Sequence, residues 1–231
     1  MPREKITRKE LLKGADEFLA FSARAVLFVR AHSILFKYIG ALIAAALVIY
    51  LGIHSYLNHE NRKGQTAYNE ALYALDEDQL LKGNPEKLRQ WEDLFKKVTE
   101  QHGLSKVSQL ALPELAHLKF REKKYDEAIS LYREYLKDVP PASPYQSLAK
   151  LALAACYEEK GELEKAAEPL MQIVSVSEDV FREQAMLTLA RVYDLSRQQE
   201  KAKELLKEFV TKYKESPFVP LAKAQLKKYS S

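Results

Sequence analysis

The residues that could do chemistry are few and far apart. Five histidines, His32, His54, His59, His102 and His117, are scattered along the chain, and no two share a ligand spacing with a carboxylate beside them. His59-Glu60 lacks the second histidine that a zinc-binding helix needs. No glycine-rich phosphate loop and no nucleophile elbow occurs. Cys156 is the single cysteine, so an intramolecular disulfide is excluded, and its place between Ala155 and Tyr157 reads as a small buried hydrophobe. Acidic runs such as Asp76-Glu77-Asp78 read as solvated helix ends rather than acid–base pairs. Catalysis therefore finds no footing, and neither cofactor nor metal is expected. What remains is recognition by surfaces, which depends on the elements that carry them.

The first such element is Tyr38–Tyr56, nineteen residues without formal charge. A helix rises 1.5 Å per residue, so this stretch can cross a hydrocarbon core of roughly 30 Å. The preceding 37 residues hold eight basic and four acidic side chains, a net +4 that equals the formal charge of the whole protein. The rest of the chain balances to zero. The positive-inside bias then predicts a cytoplasmic N-terminus and a C-terminal part across the membrane. Tyr38, Tyr50 and Tyr56 suit the interfacial aromatic belts. After Leu51 comes GIHSYLNHENRK, with no small-x-small cleavage site, so an uncleaved signal anchor is expected. The basic balance is accounted for by topology, and no nucleic-acid partner is implied.

Residues 1–37 carry a pattern of their own. Thr7-Arg-Lys-Glu10 has the form of a capping box, and apolar residues recur at helical spacing behind it. A basic amphipathic helix in the cytoplasmic interface is expected there. Arg24 and Arg30 argue against a second span.

Beyond the span the sequence is expected to be all helix. Residues 60–231 contain four glycines, prolines cluster between periodic segments, and nothing alternates at period two. Three segments align on a small residue: KKYDEA ending at Ala128, GELEKA at Ala166 and RQQEKA at Ala202, spaced 38 and 36 residues apart. Twelve positions upstream of each stands another alanine preceded by leucine: Leu115-Ala116, Leu153-Ala154 and Leu189-Ala190. This layout resembles the tetratricopeptide repeat, a helix–turn–helix unit of about 34 residues with small residues where its two helices meet. Lys119 departs from the pattern where a tyrosine is usual, as do Glu178 and Lys214 where proline is usual. The fold class is therefore all-α: one transmembrane helix, then an α-solenoid of about three tetratricopeptide-like pairs. A degenerate pair, Glu60–Leu81 and Pro85–Gln101, would open the array, and a lone helix within Ser216–Tyr229 would cap it. The expected divisions are 1–37 cytoplasmic, 38–57 membrane-spanning and 58–231 exported.

The resemblance to tetratricopeptide arrays implies that the first helix of each pair lines a groove. By position those residues are His117, Phe120, Arg121, Leu151, Ala155, Glu158, Leu187, Arg191 and Asp194. Their mixture of apolar and charged groups suits an extended peptide or a partner's helix, and lacks the concentrated Lys/Arg/Asn set of a carboxylate clamp. The whole arrangement resembles one family in particular. A short basic N-terminus, one span, a helix of the type QTAYNEALYAL and a repeat of the type LALPELAHLKFREKKYDEAISLY are similar to the YfgM-like proteins, ancillary subunits of the SecYEG translocon. That resemblance implies a single-pass protein of the bacterial inner membrane whose periplasmic repeats contact SecYEG and periplasmic chaperones for exported chains. A scaffold for envelope assembly or for cell-wall and division machinery is the alternative.

Overall fold

A computed structural model of the chain describes residues 23, 24, 26–74 and 85–229, and all of its regular structure is helical. The capping box at Thr7–Glu10, most of the amphipathic N-terminal segment and the run Asp76-Glu77-Asp78 lie outside the described residues. The chain divides into two compact units, one ending at Asn58 and one beginning at His59.

The apolar stretch lies in helix α1, Ser33–Tyr73. In the first unit every described side chain is exposed, Ile39, Leu42, Leu47, Val48, Ile49 and Leu51 among them. Among the described residues this is the one helix long and apolar enough to cross a membrane. It shows no buried stripe over that length, so nothing among the described residues covers its apolar surface.

The second unit is an array of helices, each packed on the next from α2 onward. After the end of α1 come α2 (Pro85–Gln101), α3 (Ser108–Arg121), α4 (Tyr125–Asp138), α5 (Pro144–Glu159) and α6 (Leu163–Val174). Then follow α7 (Arg182–Leu195), α8 (Gln199–Lys212) and α9 (Val219–Lys227). Helices α3/α4, α5/α6 and α7/α8 form the three repeated pairs. Their paired alanines, Ala116 with Ala128, Ala154 with Ala166 and Ala190 with Ala202, are all buried, and their small size lets the two helix backbones approach. Tyr132, Leu170 and Phe209 fill the space beside them.

The turn within each pair repeats to the level of single hydrogen bonds. Lys123, Gly161 and Arg197 all adopt positive φ, at 61°, 75° and 62°. The next residue's N–H then reaches back across the turn: Lys124 to the Lys119 carbonyl at 2.9 Å, Glu162 to Tyr157 at 2.9 Å and Gln198 to Tyr193 at 2.8 Å. These six-to-one bonds are the Schellman closure, which a left-handed residue makes possible. Only the middle turn uses glycine for it.

Both ends of the array are closed. The opening pair is the C-terminal part of α1 with α2: Ala67 and Ala71 pack with Trp91, Phe95 and Val98, and the Trp91 indole donates to the Ala74 carbonyl. Pro85 begins α2, where its missing N–H costs nothing. At the far end α9 lays Ala222 over Met186, Ala190, Leu206 and Phe209. The prolines correct one expectation, because Pro113 and Pro169 stand inside α3 and α6 rather than between helices. Pro169 is buried in α6, and its packing offsets the lost backbone hydrogen bond there.

Candidate functional site

The face built by α3, α5 and α7 carries the nine positions singled out from sequence, and the structure divides them into groups. Phe120, Leu151 and Leu187 are half-buried and pack on core clusters, Phe120 edge-on against Tyr125 at 5.5 Å between ring centres. Ala155 is half-buried one turn after Leu151 on α5. Glu158 and Arg191 pair with each other through both guanidinium nitrogens, the Nη2–Oε2 distance being 2.9 Å, and so tie α5 to α7. The Asp194 carboxylate accepts from Lys228 Nζ at 3.2 Å, so it helps to hold the capping segment. His117 and Arg121, one turn apart on α3, keep exposed surface. Desolvation by the surrounding protein and then the Arg121 guanidinium lower the His117 pKa, which keeps the imidazole neutral near pH 7.

A cleft extends this face, and none of its lining residues is among the nine positions singled out from sequence. It measures about 350 Å³ and lies between α3, α4 and α5. Pro113 and Glu114 form one wall, Leu148 and Ala152 the other, and the buried Tyr132 and Tyr135 line it between them. Tyr145 stands at its edge, 65% exposed. Glu114 lies one turn before His117, and Leu148 one turn before Leu151 and Ala152, so the cleft continues the two stripes already described. That helical spacing was the available signal.

Glu114 is the unusual group here. Desolvation raises its pKa above the ordinary glutamate range. No hydrogen bond or ion pair from the described residues reaches its carboxylate. The Tyr68 and Tyr132 phenols are raised chiefly by their own burial, with a contribution from the nearby Glu114 charge.

The other buried ionisable groups hold helices together. Lys119, the departure from the repeat pattern, is buried on α3 with Nζ 2.7 Å from Glu92 on α2 and 3.5 Å from both Glu122 and Glu127. Burial opposes the charge on Glu92, but hydrogen bonds from Lys119 and Lys96 outweigh it and lower the Glu92 pKa. Arg182 on α7 donates to the Val174 carbonyl at 2.8 Å and to Glu208 at 3.2 Å, and it also contacts the Tyr213 hydroxyl. Burial pushes the Cys156 thiol up to about 11, so it is an inert packing group at neutral pH. Among the described residues no cluster of His, Cys, Asp or Glu could hold a metal ion.

Paired helices, alanine contacts and repeated turns define a tetratricopeptide-like solenoid, a class of fold that holds protein partners. Residues 121–225 match the family described as tetratricopeptide repeat-like domain. Two crystal structures of nearly identical tetratricopeptide-like repeats from a Podosopora anserina putative kinesin light chain are similar in fold. One, a single-substitution variant, is 20% identical with a TM-score of 0.54 and covers 73% of this chain and 84% of its own. The other is 19% identical with a TM-score of 0.53 and covers 74% of this chain and 84% of its own. No curated protein matches the chain in sequence.

Proposed function

We propose that this protein is a non-enzymatic adaptor of the bacterial inner membrane, ancillary to the Sec translocon and to periplasmic chaperones, as the YfgM-like resemblance implies. Residues 1–37 lie in the cytoplasm, 38–57 span the membrane and 58–231 form the periplasmic module. The observation that carries the reading is one charge-free apolar stretch within a long helix, basic on its N-terminal flank, followed by a tetratricopeptide-like array. The anchor keeps the face around His117, Phe120, Arg121, Leu151, Ala155, Glu158, Leu187, Arg191 and Asp194 close to emerging chains. Tethering of this kind raises effective concentration, so a modest intrinsic affinity suffices.

A photo-crosslinking residue in place of the exposed His117, in intact cells, tests the partner. Recovery of Sec channel subunits or periplasmic folding factors is the expected result. Recovery of envelope-assembly or cell-wall proteins alone refutes it and assigns the chain to a scaffold. Alkaline phosphatase fused after Ser231 tests the topology: it is expected to be active, and an inactive fusion places the repeats in the cytoplasm.

A further inference from the structure

We infer that the cleft between α3, α4 and α5 is an anchor site for a lysine or arginine side chain of an extended peptide, with Glu114 as its ionic partner and Tyr145 at its edge. The inference rests on the adaptor reading above and specifies the chemistry that the partner must offer.

Three properties of the cleft select this occupant. Its volume of about 350 Å³ accommodates one long side chain with part of its backbone rather than a helix. Its walls are apolar over most of their length, with Leu148 and Ala152 facing the Pro113 side. A lysine or arginine lays a methylene stem along such a surface and carries its charge at the tip. The charge then meets Glu114, whose carboxylate lacks a cationic partner among the described residues and has lost part of its hydration to the protein around it. A cation arriving there supplies the partner that burial makes most valuable. The tyrosine rings add faces that attract cations. An acidic or C-terminal carboxylate ligand is disfavoured, because no basic side chain lines the cleft and Glu114 would repel it. His117, one turn away, does not neutralise Glu114, since its own protonation is suppressed.

The test uses the full-length protein in lipid nanodiscs and two fluorescein-labelled dodecapeptides. Both are extended and moderately apolar; one carries a central lysine and its twin carries norleucine there. Fluorescence anisotropy is expected to show at least about tenfold tighter binding of the lysine peptide, the size of one charge-assisted hydrogen bond. Glu114→Gln is expected to erase that difference while leaving the norleucine twin unchanged. Leu148→Asp is expected to weaken both peptides and so reports on the face itself. Equal binding of the twins to the wild-type protein, or an unaltered lysine preference in Glu114→Gln, overturns the cation anchor. If Leu148→Asp still weakens both peptides, the peptide-binding face stands without it. Binding of neither peptide overturns both readings together. Self-association that Glu114→Gln abolishes, read by mass photometry, assigns the cleft to a second copy of the chain and overturns the peptide assignment.

Discussion

Gly64 is the point at which the opening helix pair is most exposed to a single atom. A Cβ built there would lie 2.5 Å from Ser105 Cβ, closer still to Ser105 Oγ, and 3.2 Å from His102 Cβ. The two Ser105 separations are about an ångström inside van der Waals contact. A change of the Ser105 rotamer moves Oγ but not Cβ, whose place is set by the backbone, so it cannot clear the contact. The same contact holds the helix in register: Ser105 Oγ donates to Asn61 Oδ1 at 3.1 Å, and the Lys106 N–H donates to it at 3.0 Å. Gly64→Ala therefore sets two effects against each other. Replacing glycine in a helix gains about 1 kcal/mol of propensity, whereas forcing extra volume into a closed contact costs about 1–3 kcal/mol. Separations this short put the cost in the upper half of that range, about 2–3 kcal/mol, so a net loss of about 1–2 kcal/mol is expected, delivered as a partial lifting of α1 from α2. Trp91 reports it directly: it is the only tryptophan, fully buried, and its indole is bonded to the carbonyl of Ala74 at the end of α1. Its emission should shift to the red, and its urea midpoint should fall by roughly 0.5–1 M. Ser105→Gly in the Gly64→Ala background removes both close atoms and should restore much of the loss, a coupling that independent sites would not show. Gly52→Ala, with nothing within 4 Å, should leave Trp91 unaltered. A Gly64→Ala protein at least as stable as wild type, with unchanged emission, would refute the account.

Two glutamates should give stability opposite slopes in pH. The Glu92 pKa is lowered in the folded state, so its contribution is present above the ordinary value of 4.5 and is lost as pH falls through the folded value. Glu92→Gln should cost about 1–3 kcal/mol near neutrality and progressively less in acid, as read from urea midpoints across pH. The Glu114 pKa is raised, so its contribution is present below 4.5 and is lost as pH rises through the folded value. Glu114→Gln should therefore match wild type in acid and equal or exceed it at pH 7. Arg197→Gly, which removes a left-handed arginine, should raise stability by roughly 0.5–1 kcal/mol, and Gly161→Ala should lower it by about 1 kcal/mol, both checked by calorimetry. Ending the chain at Ser216 uncovers the Met186, Leu206 and Phe209 cluster and should cost about 2–4 kcal/mol, seen as a lower thermal midpoint and dye binding to exposed apolar surface.

Local periodicity carries much of this fold. Leucine–alanine pairs twelve residues upstream of a second alanine are a one-dimensional record of two helices in close contact, so the pairs, their number and the capping helix were all legible. So was the apolar, charge-free stretch, because its length and composition need no partner to be recognised. Other features depend on which distant faces meet, and those had to wait for the packed helices. Lys119 looked like a departure from a pattern, and it proves to be the buried tie to Glu92 on the preceding helix. Lys123 and Arg197 carry no mark of a left-handed turn, since their side chains would be ordinary in a helix, and the Schellman closure imposes the conformation. The spacing of Leu151 and Leu187 fits groove and core alike, and the neighbouring helices cover part of each and of Phe120. Glu114 and Tyr145 belong to different helix pairs, and only the stacking of α5 on α4 brings them to the walls and edge of one cleft. The desolvation that makes Glu114 distinctive belongs to that stacking, because a carboxylate on an isolated helix would keep its water.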